Sequence, residues 1–338
     1  MNATIKDVAK RADVSTATVS HVIHKTRFVS DELTQRVNDA IKELKFYPNL
    51  LVGSLRKNKT YSIGLVIPTI TNESFSVLVE EIQQTLFANN YHIIICITLF
   101  DEEIENAVFN TLLTKKVDAI CVIPTTTKSD KIQEIQERGV PVILIDRVLK
   151  ELDIDSIIVD NFKGMYDATT HLIGLGHKHI GYIDRNQDHS HNVDQRNGYK
   201  KALEDHGLKY IDRLVVRSKR SDYASGVNAV KKLFAINNQL TAVMAFYDII
   251  ALGAMRGLKD MGLRVPEDVS LTGYDGMPLT EHTIPRLTTV LFPVEKIAKV
   301  ICRTTLDRIN NPNKTKKKKR VRLNPKLLIR ETTSSPKC

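Results

Sequence analysis

The sequence predicts an all-α helix-turn-helix head followed by an α/β core made of two doubly wound parallel-sheet subdomains. In the first 46 residues, apolar side chains recur every three to four positions, the period of short amphipathic helices. Beyond residue 60, continuous apolar runs alternate with helical stretches, which is typical of parallel sheets covered by helices. This second region holds about 280 residues, more than one such sheet accommodates, so we expect two sheets.

The head contains three predicted helices, each preceded by a residue suited to cap its first turn. These residues are Thr4, Ser15 and Ser30, and Asp31 and Glu32 also suit the positive end of the third helix dipole. The apolar positions that we expect to face the head's core are Ile5, Val8, Ala9, Ala12, Val19, Val22, Ile23, Leu33, Val37, Ala40, Ile41 and Leu44. Three short helices this closely spaced predict a helix-turn-helix unit.

The second helix is the predicted reader of DNA, because in this motif its N-terminal residues touch base edges in the major groove. Thr16 can hydrogen-bond a base edge, Ala17 can contact a thymine methyl, and His21 can donate to a guanine or a phosphate. The head residues that we expect to contact DNA are Thr4, Ser15, Thr16, Ala17, Thr18, Ser20, His21 and His24. The alternative is a solvated helix face in an unrelated small domain.

The predicted core strands and helices alternate along the chain. The strands are expected at residues 62–68, 92–98, 119–123, 142–145, 156–159, 180–183, 242–245, 269–274 and 288–291. Helices are expected at residues 75–89, 162–173, 195–206 and 249–261. The basic stretch at residues 316–320 is interpreted as a solvated connector between the last helix and a strand, with nonspecific DNA contact as the alternative.

Composition and charge narrow the class of protein. Hydrophobic residues make up 42% and charged residues 26%, which is typical of a globular protein. No apolar run approaches the roughly 18 residues that span a bilayer, and no secretory signal is evident, so we expect a cytoplasmic protein without membrane contact. The four cysteines, Cys96, Cys121, Cys302 and Cys338, form no C-x-x-C pair and are expected to be reduced.

The formal net charge is +10 and is concentrated in two places. Residues 1–60 contain eleven Lys or Arg against six Asp or Glu, and a second basic block spans residues 314–320. A basic excess favours a polyanionic partner through release of counterions, although charge alone does not identify a nucleotide sequence.

Several short segments closely resemble the lactose/galactose repressor family. In the head they are Thr4-Ile5-Lys6-Asp7-Val8-Ala9, Thr18-Val19-Ser20 and Tyr47-Pro48-Asn49. In the core they include Val159-Asp160-Asn161, Arg196-Asn197-Gly198-Tyr199, Ala251-Leu252-Gly253-Ala254, Val265-Pro266-Glu267-Asp268-Val269-Ser270 and Gly273-Tyr274-Asp275. These matches keep their order across nearly the whole chain, and the head is most similar to the purine-repressor branch of the family.

The resemblance implies a transcriptional regulator with a periplasmic-binding-protein-like core that binds a small-molecule effector in a cleft. It places the DNA-binding head at residues 1–46 and a hinge helix with linker at 47–60. The core subdomains are expected at 61–161 plus 292–322 and at 162–291 plus 323–338. Two subunits would form a homodimer on a pseudo-palindromic operator, since protein symmetry mirrors half-site symmetry. No trailing leucine-rich helix follows residue 330, which favours a dimer over a tetramer.

The hinge carries three further predicted DNA contacts. The resemblance places Leu55 where a leucine wedges into the minor groove, with Asn49 and Arg56 close to phosphates or groove edges. Alternatively, Leu55 packs between the two hinges of a dimer. Gly53 lies inside the predicted hinge helix, where glycine costs about 1 kcal/mol relative to alanine. We therefore expect a hinge that is unfolded without DNA and orders on binding.

The predicted effector site lies at the carboxyl ends of the strands, where open α/β sheets bind ligands. Arg196 and Asp275 match the family's effector-contacting pair, and the alternative is a buried ion pair that closes the cleft. Tyr247 stands where the family usually has asparagine and can stack on a sugar face or a base. The remaining candidates are Ser74, Phe75, Asp146, Asp160 and Phe292, of which the two aspartates could instead cap helices. A sugar or sugar phosphate is the expected effector.

Other chemistries have weaker support in the sequence. We find no convergent catalytic constellation, so we expect neither an enzyme nor a cofactor. The pairs His177/His179 and His189/His191 suggest a metal, but the first falls in a family turn and the second in an expected polar loop. Two alternatives stay open: a soluble sugar-binding receptor, and a regulator controlled by a partner protein instead of a small ligand.

Overall fold

The protein is described by a computed structural model. The described residues are 3–24, 27–46, 59–125, 128–147, 149, 151–185, 190–218, 220–312 and 317–337, without the side chains of His24 and Ser190. The predicted hinge contacts Asn49, Leu55 and Arg56 lie outside the described residues. The chain divides into two compact units, residues 1–60 and 61–338.

The first unit contains the three predicted helices, α1 (Ile5–Ala12), α2 (Thr16–His24) and α3 (Asp31–Glu43). Thr4 and Asp7 form a capping box on α1, in which each residue's side chain accepts a hydrogen bond from the other's backbone N–H. The Ser30 hydroxyl caps α3 by accepting from the Leu33 amide at 3.5 Å. The buried core residues of this unit are Val8, Ala9, Ala12, Val19, Val37 and Ala40. The predicted helical head is confirmed.

The second unit is built on two six-stranded sheets. The first sheet has the order β11-β5-β4-β3-β1-β2, and all its pairings are parallel. Its strands are β1 (Ser62–Ile67), β2 (His92–Ile97), β3 (Ala119–Val122), β4 (Val142–Ile145), β5 (Asp155–Val159) and β11 (Arg320–Leu323). Its helices are α4 (Glu73–Phe87), α5 (Glu102–Thr114), α6 (Asp130–Glu137) and α11 (Val294–Asn310).

The second sheet has the order β12-β10-β9-β8-β6-β7. Its strands are β6 (Ile180–Arg185), β7 (Val215–Ser218), β8 (Ala242–Ala245), β9 (Ser270–Asp275), β10 (Thr288–Leu291) and β12 (Lys326–Leu328). Its helices are α7 (Asn161–Gly174), α8 (Ser190–Asp205), α9 (Tyr223–Ile236) and α10 (Asp248–Asp260). Continuous apolar strands such as β8, buried along its whole length, place the core of each half around its sheet.

The chain passes from one sheet to the other after Val159, after Leu291 and after Leu323. The two sheets are therefore interleaved in sequence, and the predicted fold class is confirmed. One strand departs from the parallel pattern: β12 pairs antiparallel with β10. It enters the second sheet directly from β11, without the crossover helix that a parallel connection needs.

Two strands of the second sheet, β7 and β12, fall outside the runs predicted from the sequence. Both are edge strands, and their sequences, Val-Val-Arg-Ser and Lys-Leu-Leu, are short and partly charged. An edge strand is buried on fewer sides than a central one, so it lacks the continuous apolar run that identifies a central strand.

Candidate DNA-binding and effector sites

The N-terminal half of α2 presents the predicted DNA-reading face. Thr16 and Ala17 are exposed, whereas Ser20 and His21 are half-buried. Val19 on the opposite side is fully buried in the head core. The helix thus exposes a hydroxyl and two methyl groups where base edges can be reached, the kind of contact that a recognition helix makes.

The turn between α1 and α2 is fixed by Asp13 and Arg36. Asp13 adopts φ 51°, a left-handed conformation that aspartate tolerates better than most residues. A guanidinium nitrogen of Arg36 donates to the Ala12 carbonyl at 2.7 Å and lies 3.4 Å from the Asp13 carboxylate. This contact ties α3 to the turn and so orients α2 relative to the rest of the head.

Three of the predicted DNA contacts also have structural roles in the head. Thr4 is exposed and belongs to the capping box of α1. The Ser15 hydroxyl accepts from the Thr18 amide at 3.0 Å and lies 2.9 Å from the Thr18 hydroxyl, so both belong to the start of α2. These residues position the helix whether or not they touch DNA.

A small, partly enclosed cavity lies where strands of the two sheets end. Its lining residues are Ser74, Phe75, Asp146, Asn161, His191, Gln195, Tyr247, Tyr274, Asp275 and Phe292. Six predicted effector contacts, Ser74, Phe75, Asp146, Tyr247, Asp275 and Phe292, are therefore brought together here. Most of them directly follow a strand or begin the next helix, the positions where open α/β sheets bind ligands.

Two predicted effector contacts are not among the lining residues. The Nε of Arg196 lies 2.5 Å from Oδ2 of Asp184, and this carboxylate is buried. The Asp160 carboxylate caps α7 by accepting from the Lys163 amide at 3.0 Å, and it also contacts Arg322. The contacts of Asp160 agree with the alternative that it caps a helix. Arg196 forms its ion pair with Asp184, whereas it was grouped with Asp275 in the sequence analysis.

Four lining residues were absent from the predicted set: Asn161, His191, Gln195 and Tyr274. The expected loop around His191 is wrong, because this residue lies in the first turn of α8 and is buried. His191 and Gln195 are four positions apart, so they share one helix face, a spacing that could have indicated them. Asn161 and Tyr274 lie at or just beyond strand ends, the same signal that selected Asp146 and Asp275.

A series of hydrogen bonds joins the two halves of the core across this cavity. Tyr274 donates to Oδ1 of Asn161 at 2.8 Å, and Nδ2 of Asn161 donates to Asp146 at 3.0 Å. On another side of the cavity, Nδ2 of Asn72 donates to Asp275 at 3.0 Å. Asp146 and Asp275, which follow or end strands of different sheets, thus each accept a hydrogen bond from an amide side chain.

Burial changes the protonation of the cavity's carboxyl groups. Burial raises the pKa of Asp146 to about 7, although the hydrogen bonds from Asn161 and Val159 oppose the shift. Burial also raises the pKa of Asp275 well above its usual value, and repulsion from Asp248 acts in the same direction. Near neutral pH these groups can therefore act as hydrogen-bond donors as well as acceptors, which suits a ligand rich in hydroxyl groups.

Tyr247 forms one wall of the cavity. Its ring packs 4.6 Å from that of Phe246, centroid to centroid, and its hydroxyl lies 3.3 Å from Nε2 of His191. Burial raises the pKa of the Tyr247 phenol, so it stays protonated. With Phe75 and Phe292 also lining the cavity, apolar ring faces and a few polar groups converge, a typical composition for a small-molecule site.

Other kinds of site receive no support from the described part of the chain. Within it, no group of three or more His, Cys, Asp or Glu side chains is arranged to hold a metal ion. None of the helices it includes is long and apolar enough to cross a membrane. The thiols of Cys96, Cys121 and Cys302 are free; the last two are buried and the first is half-buried.

Comparison with known proteins gives matches over both units. Residues 4–49 match the family described as bacterial regulatory proteins, lacI family. Residues 60–331 match the family described as periplasmic binding proteins and sugar binding domain of LacI family. The ribose operon repressor of Haemophilus influenzae is 33% identical over 335 residues, covering 99% of this chain and 100% of that protein. The transcriptional repressor PurR of Escherichia coli is 34% identical over 334 residues, covering 98% of this chain and 97% of that protein.

Solved structures give the same result. The complex of the transcriptional regulator CelR with cellobiose has a TM-score of 0.74 at 30% identity, covering 98% of this chain and 99% of that one. The lac repressor dimer bound to operator and an anti-inducer has a TM-score of 0.85 at 24% identity, covering 99% of this chain and 100% of that one. At that lower identity, the second comparison supports the fold alone.

These matches define a helix-turn-helix regulator with a periplasmic-binding-protein-like core. The chain belongs to the LacI family of bacterial regulatory proteins. It is a DNA-binding transcriptional regulator, and the curated relatives named above are repressors and not enzymes.

Proposed function

We propose that this protein is a homodimeric repressor that binds a pseudo-palindromic operator and is controlled by a small-molecule effector bound in the core cavity. The observation that carries this proposal is the cavity itself, where apolar rings and polar groups from both halves of the core converge. A ligand in contact with both halves stabilises one relative arrangement of them, which is what effector control requires. A regulator of chromosomal genes acts in the cytoplasm.

The proposed DNA contacts are the exposed face of α2 together with the hinge residues Asn49, Leu55 and Arg56. The proposed effector contacts are the cavity residues Ser74, Phe75, Asp146, Tyr247, Asp275 and Phe292. Arg196 donates through its Nε to Asp184, and Asp160 caps α7; both remain proposed effector contacts through their other polar atoms. The proposed subdomains are residues 61–161 plus 292–322 and 162–291 plus 323–338, which would shift relative to each other on ligand binding.

The test begins with selection of binding sites from fragmented genomic DNA by the purified protein, read by sequencing. We expect a pseudo-palindromic sequence to be enriched, with half-sites arranged for a two-fold dimer. Thr16→Ala should weaken binding to the selected site about tenfold, because it removes a hydroxyl from the exposed face of α2. Thr111→Ala is the matched control, since Thr111 is an exposed helical threonine in the core unit.

Two outcomes would contradict the proposal. Absence of any enriched sequence, for the protein alone and with cell extract added as a source of ligand, would contradict operator reading by this head. Enrichment whose strength responds to a protein fraction but not to the small molecules of the extract would contradict effector control. That second outcome would support the alternative in which a partner protein controls the regulator.

A further inference from the structure

Two buried arginines lie beside the cavity at the carboxyl ends of strands from different sheets. Arg147 follows β4 and is 5% exposed, and Arg185 ends β6 and is 3% exposed. Asp146, the neighbour of Arg147 in sequence, lines the cavity. Both guanidinium charges act on the phenol of Tyr247, where they oppose the rise of its pKa on burial. The two cations therefore lie close to Tyr247, which lines the cavity, although neither arginine is itself a lining residue.

Each arginine has buried N–H groups without a hydrogen-bond acceptor. Among the described residues, no acceptor reaches Nε of Arg147 or Nε and Nη1 of Arg185. The Nη1 of Arg147 donates to the carbonyl of Pro124. Buried polar groups are nearly always hydrogen-bonded, and an unsatisfied charged donor destabilises the fold that contains it. Three such nitrogens, on two residues close to Tyr247, point to acceptors that a ligand supplies.

The nearby carboxylates have other donors. Asp184 accepts from Nε of Arg196 at 2.5 Å and from the Arg185 backbone amide at 2.7 Å. Glu105 accepts from the Thr125 amide at 2.6 Å. Asp146 accepts from Asn161, and burial favours its neutral form by raising its pKa to about 7. These hydrogen bonds come from donors other than Nε of Arg147 and Nε and Nη1 of Arg185, although the charges of Asp146 and Glu105 still act on Arg147.

The position of the second guanidinium is fixed by packing. Its central carbon lies 4.2 Å from the centroid of the Phe100 ring, a cation–π contact that holds the group in place without satisfying its N–H bonds. The two cations also repel each other: the pKa of Arg147 is lowered to about 10, mainly by burial, and Arg185 adds to this effect. An anion between them would remove both the repulsion and the unsatisfied donors.

We propose that the effector is a phosphate monoester of a sugar, and that Arg147 and Arg185 bind its phosphate group beyond Tyr247. This inference rests on the proposed function, because it assumes that the cavity takes the effector. A phosphate monoester carries close to two negative charges at neutral pH and several acceptor oxygens, which matches two guanidinium groups. A carboxylate carries one charge and would leave one arginine without a counterion.

The test compares matched ligands on the full-length protein by isothermal titration and thermal shift. The pairs are ribose with ribose 5-phosphate and glucose with glucose 6-phosphate, and glucuronate and inorganic phosphate are added as further probes. We expect at least one phosphate ester to bind about 10- to 100-fold more tightly than its neutral sugar. Arg147→Gln and Arg185→Gln should each abolish most of that preference.

Arg138→Gln is the control, because Arg138 is an exposed surface arginine. It should leave the affinity for the ester unchanged. Without ligand, Arg185→Gln should melt at the same temperature as the wild type or higher, since it removes an unsatisfied buried cation. Arg185→Lys keeps the charge and should retain part of the preference, which separates the loss of binding from misfolding.

The inference is overturned if neutral sugars bind as tightly as their phosphate esters, if glucuronate binds as well as the esters, or if both glutamine variants keep the preference for phosphate. Its failure can be distinguished from that of the proposed function by measuring operator affinity. Operator release by a neutral sugar would retain effector control and refute the phosphate site. Binding of an ester through both arginines with no change in operator affinity would retain the site and refute effector control.

Discussion

At the scale of single residues, burial sets the chemistry of the core more than residue type does. Asp146 and Asp248 are ordinary carboxylates in the sequence, yet burial raises the pKa of each to about 7. Burial likewise lowers the pKa of Arg147, to about 10. These shifts arise because a charged group loses its hydration when the protein folds around it. They make the stability of the core depend on pH in a way that a single substitution can reveal.

We predict that Asp248→Asn becomes more stable relative to the wild type as the pH rises from about 5 to 7. Asp248 is fully buried and accepts from the Met277 amide at 2.7 Å and the Thr289 hydroxyl at 2.6 Å. Because its folded pKa lies above its unfolded one, the folded state binds more protons in this range, and the wild type loses stability as pH rises. The variant has no ionisable group at this position, so its free energy of unfolding rises relative to wild type by at most about 1.4 kcal/mol per pH unit.

The measurement is urea unfolding of both proteins at pH 5, 6 and 7. Asp153→Asn is the control, since Asp153 is an exposed surface carboxylate. For that variant the difference from wild type should not change over the same range. A pH-independent difference for Asp248→Asn would show that this carboxyl is ionised throughout.

At the scale of elements, glycines decide how closely neighbouring helices approach. A Cβ atom on Gly253 in α10 would lie 2.0 Å from the Tyr223 carbonyl oxygen in α9, and one on Gly226 would lie 2.2 Å from the Ile250 carbonyl oxygen. Both contacts are with backbone, which cannot move aside as a flexible side chain can. The Ala-Leu-Gly-Ala segment noted in the sequence therefore marks a helix crossing.

We predict that Gly253→Ala lowers the free energy of unfolding by about 3 kcal/mol, because α9 and α10 must separate to admit the methyl group. Gly174→Ala is the matched control: no atom lies within 4 Å of the added Cβ. That change should be neutral or slightly stabilising, because alanine favours helix over glycine. Chemical denaturation of both variants checks the pair, and equal effects would contradict the close-packing explanation.

A buried ion pair joins two further elements, β5 and α11. Arg308 donates to both carboxylate oxygens of Asp155 at 2.7 Å, and the Lys319 amide donates to Asp155 at 2.8 Å. The pair thus also holds the segment that leads into the edge strand β11. The hydrogen bonds that the guanidinium donates to Asp155 raise the pKa of Arg308, so this cation stays charged.

We predict that Asp155→Ala destabilises the protein by about 3–5 kcal/mol, because it leaves a buried guanidinium without its counterion. Asp167→Ala breaks the exposed ion pair with Lys163 and should cost less than about 1 kcal/mol. Thermal and urea unfolding measure both. A small loss for Asp155→Ala would mean that Arg308 finds water or another acceptor when the carboxylate is removed.

At the scale of the whole molecule, the chain has two compact units, and most of the segment predicted to form a hinge lies outside the described residues. The proposed DNA-reading helix belongs to residues 1–60 and the proposed effector cavity to residues 61–338. Ligand and operator influence each other only if each of them binds the two states of the protein with different affinity. We expect substitutions in the predicted hinge to change the coupling between effector binding and operator binding.

We predict that Gly53→Ala tightens operator binding about fivefold per hinge, because alanine lowers the free-energy cost of forming the predicted hinge helix by about 1 kcal/mol. The measurement is fluorescence anisotropy with the operator found by selection. Gly174→Ala, a helical glycine in the core, should leave the operator affinity unchanged. Unchanged or weaker affinity for Gly53→Ala would contradict a hinge that folds on DNA.

The sequence by itself determined the order and type of most elements. Helical period and capping residues identified α1, α2 and α3, and continuous apolar runs identified the central strands, because both signals are local and repeat along the sequence. Strand-end positions together with the family resemblance predicted that Asp146, Tyr247 and Asp275 lie together, and all three line the cavity. The resemblance supplied the family, which the comparisons then confirmed.

Tertiary structure decided what depends on partners distant in the sequence. The edge strands β7 and β12 exist because a neighbouring strand pairs with them, and their own residues carry little signal. Arg196 contacts Asp184 instead of Asp275, and Arg185 lies buried against Phe100, contacts that no periodicity encodes. The raised pKa values of Asp146 and Asp275 likewise arise from burial, which exists only once the chain is folded. Local patterns specify elements, whereas hydrogen-bond partners and desolvation are set only when the elements pack.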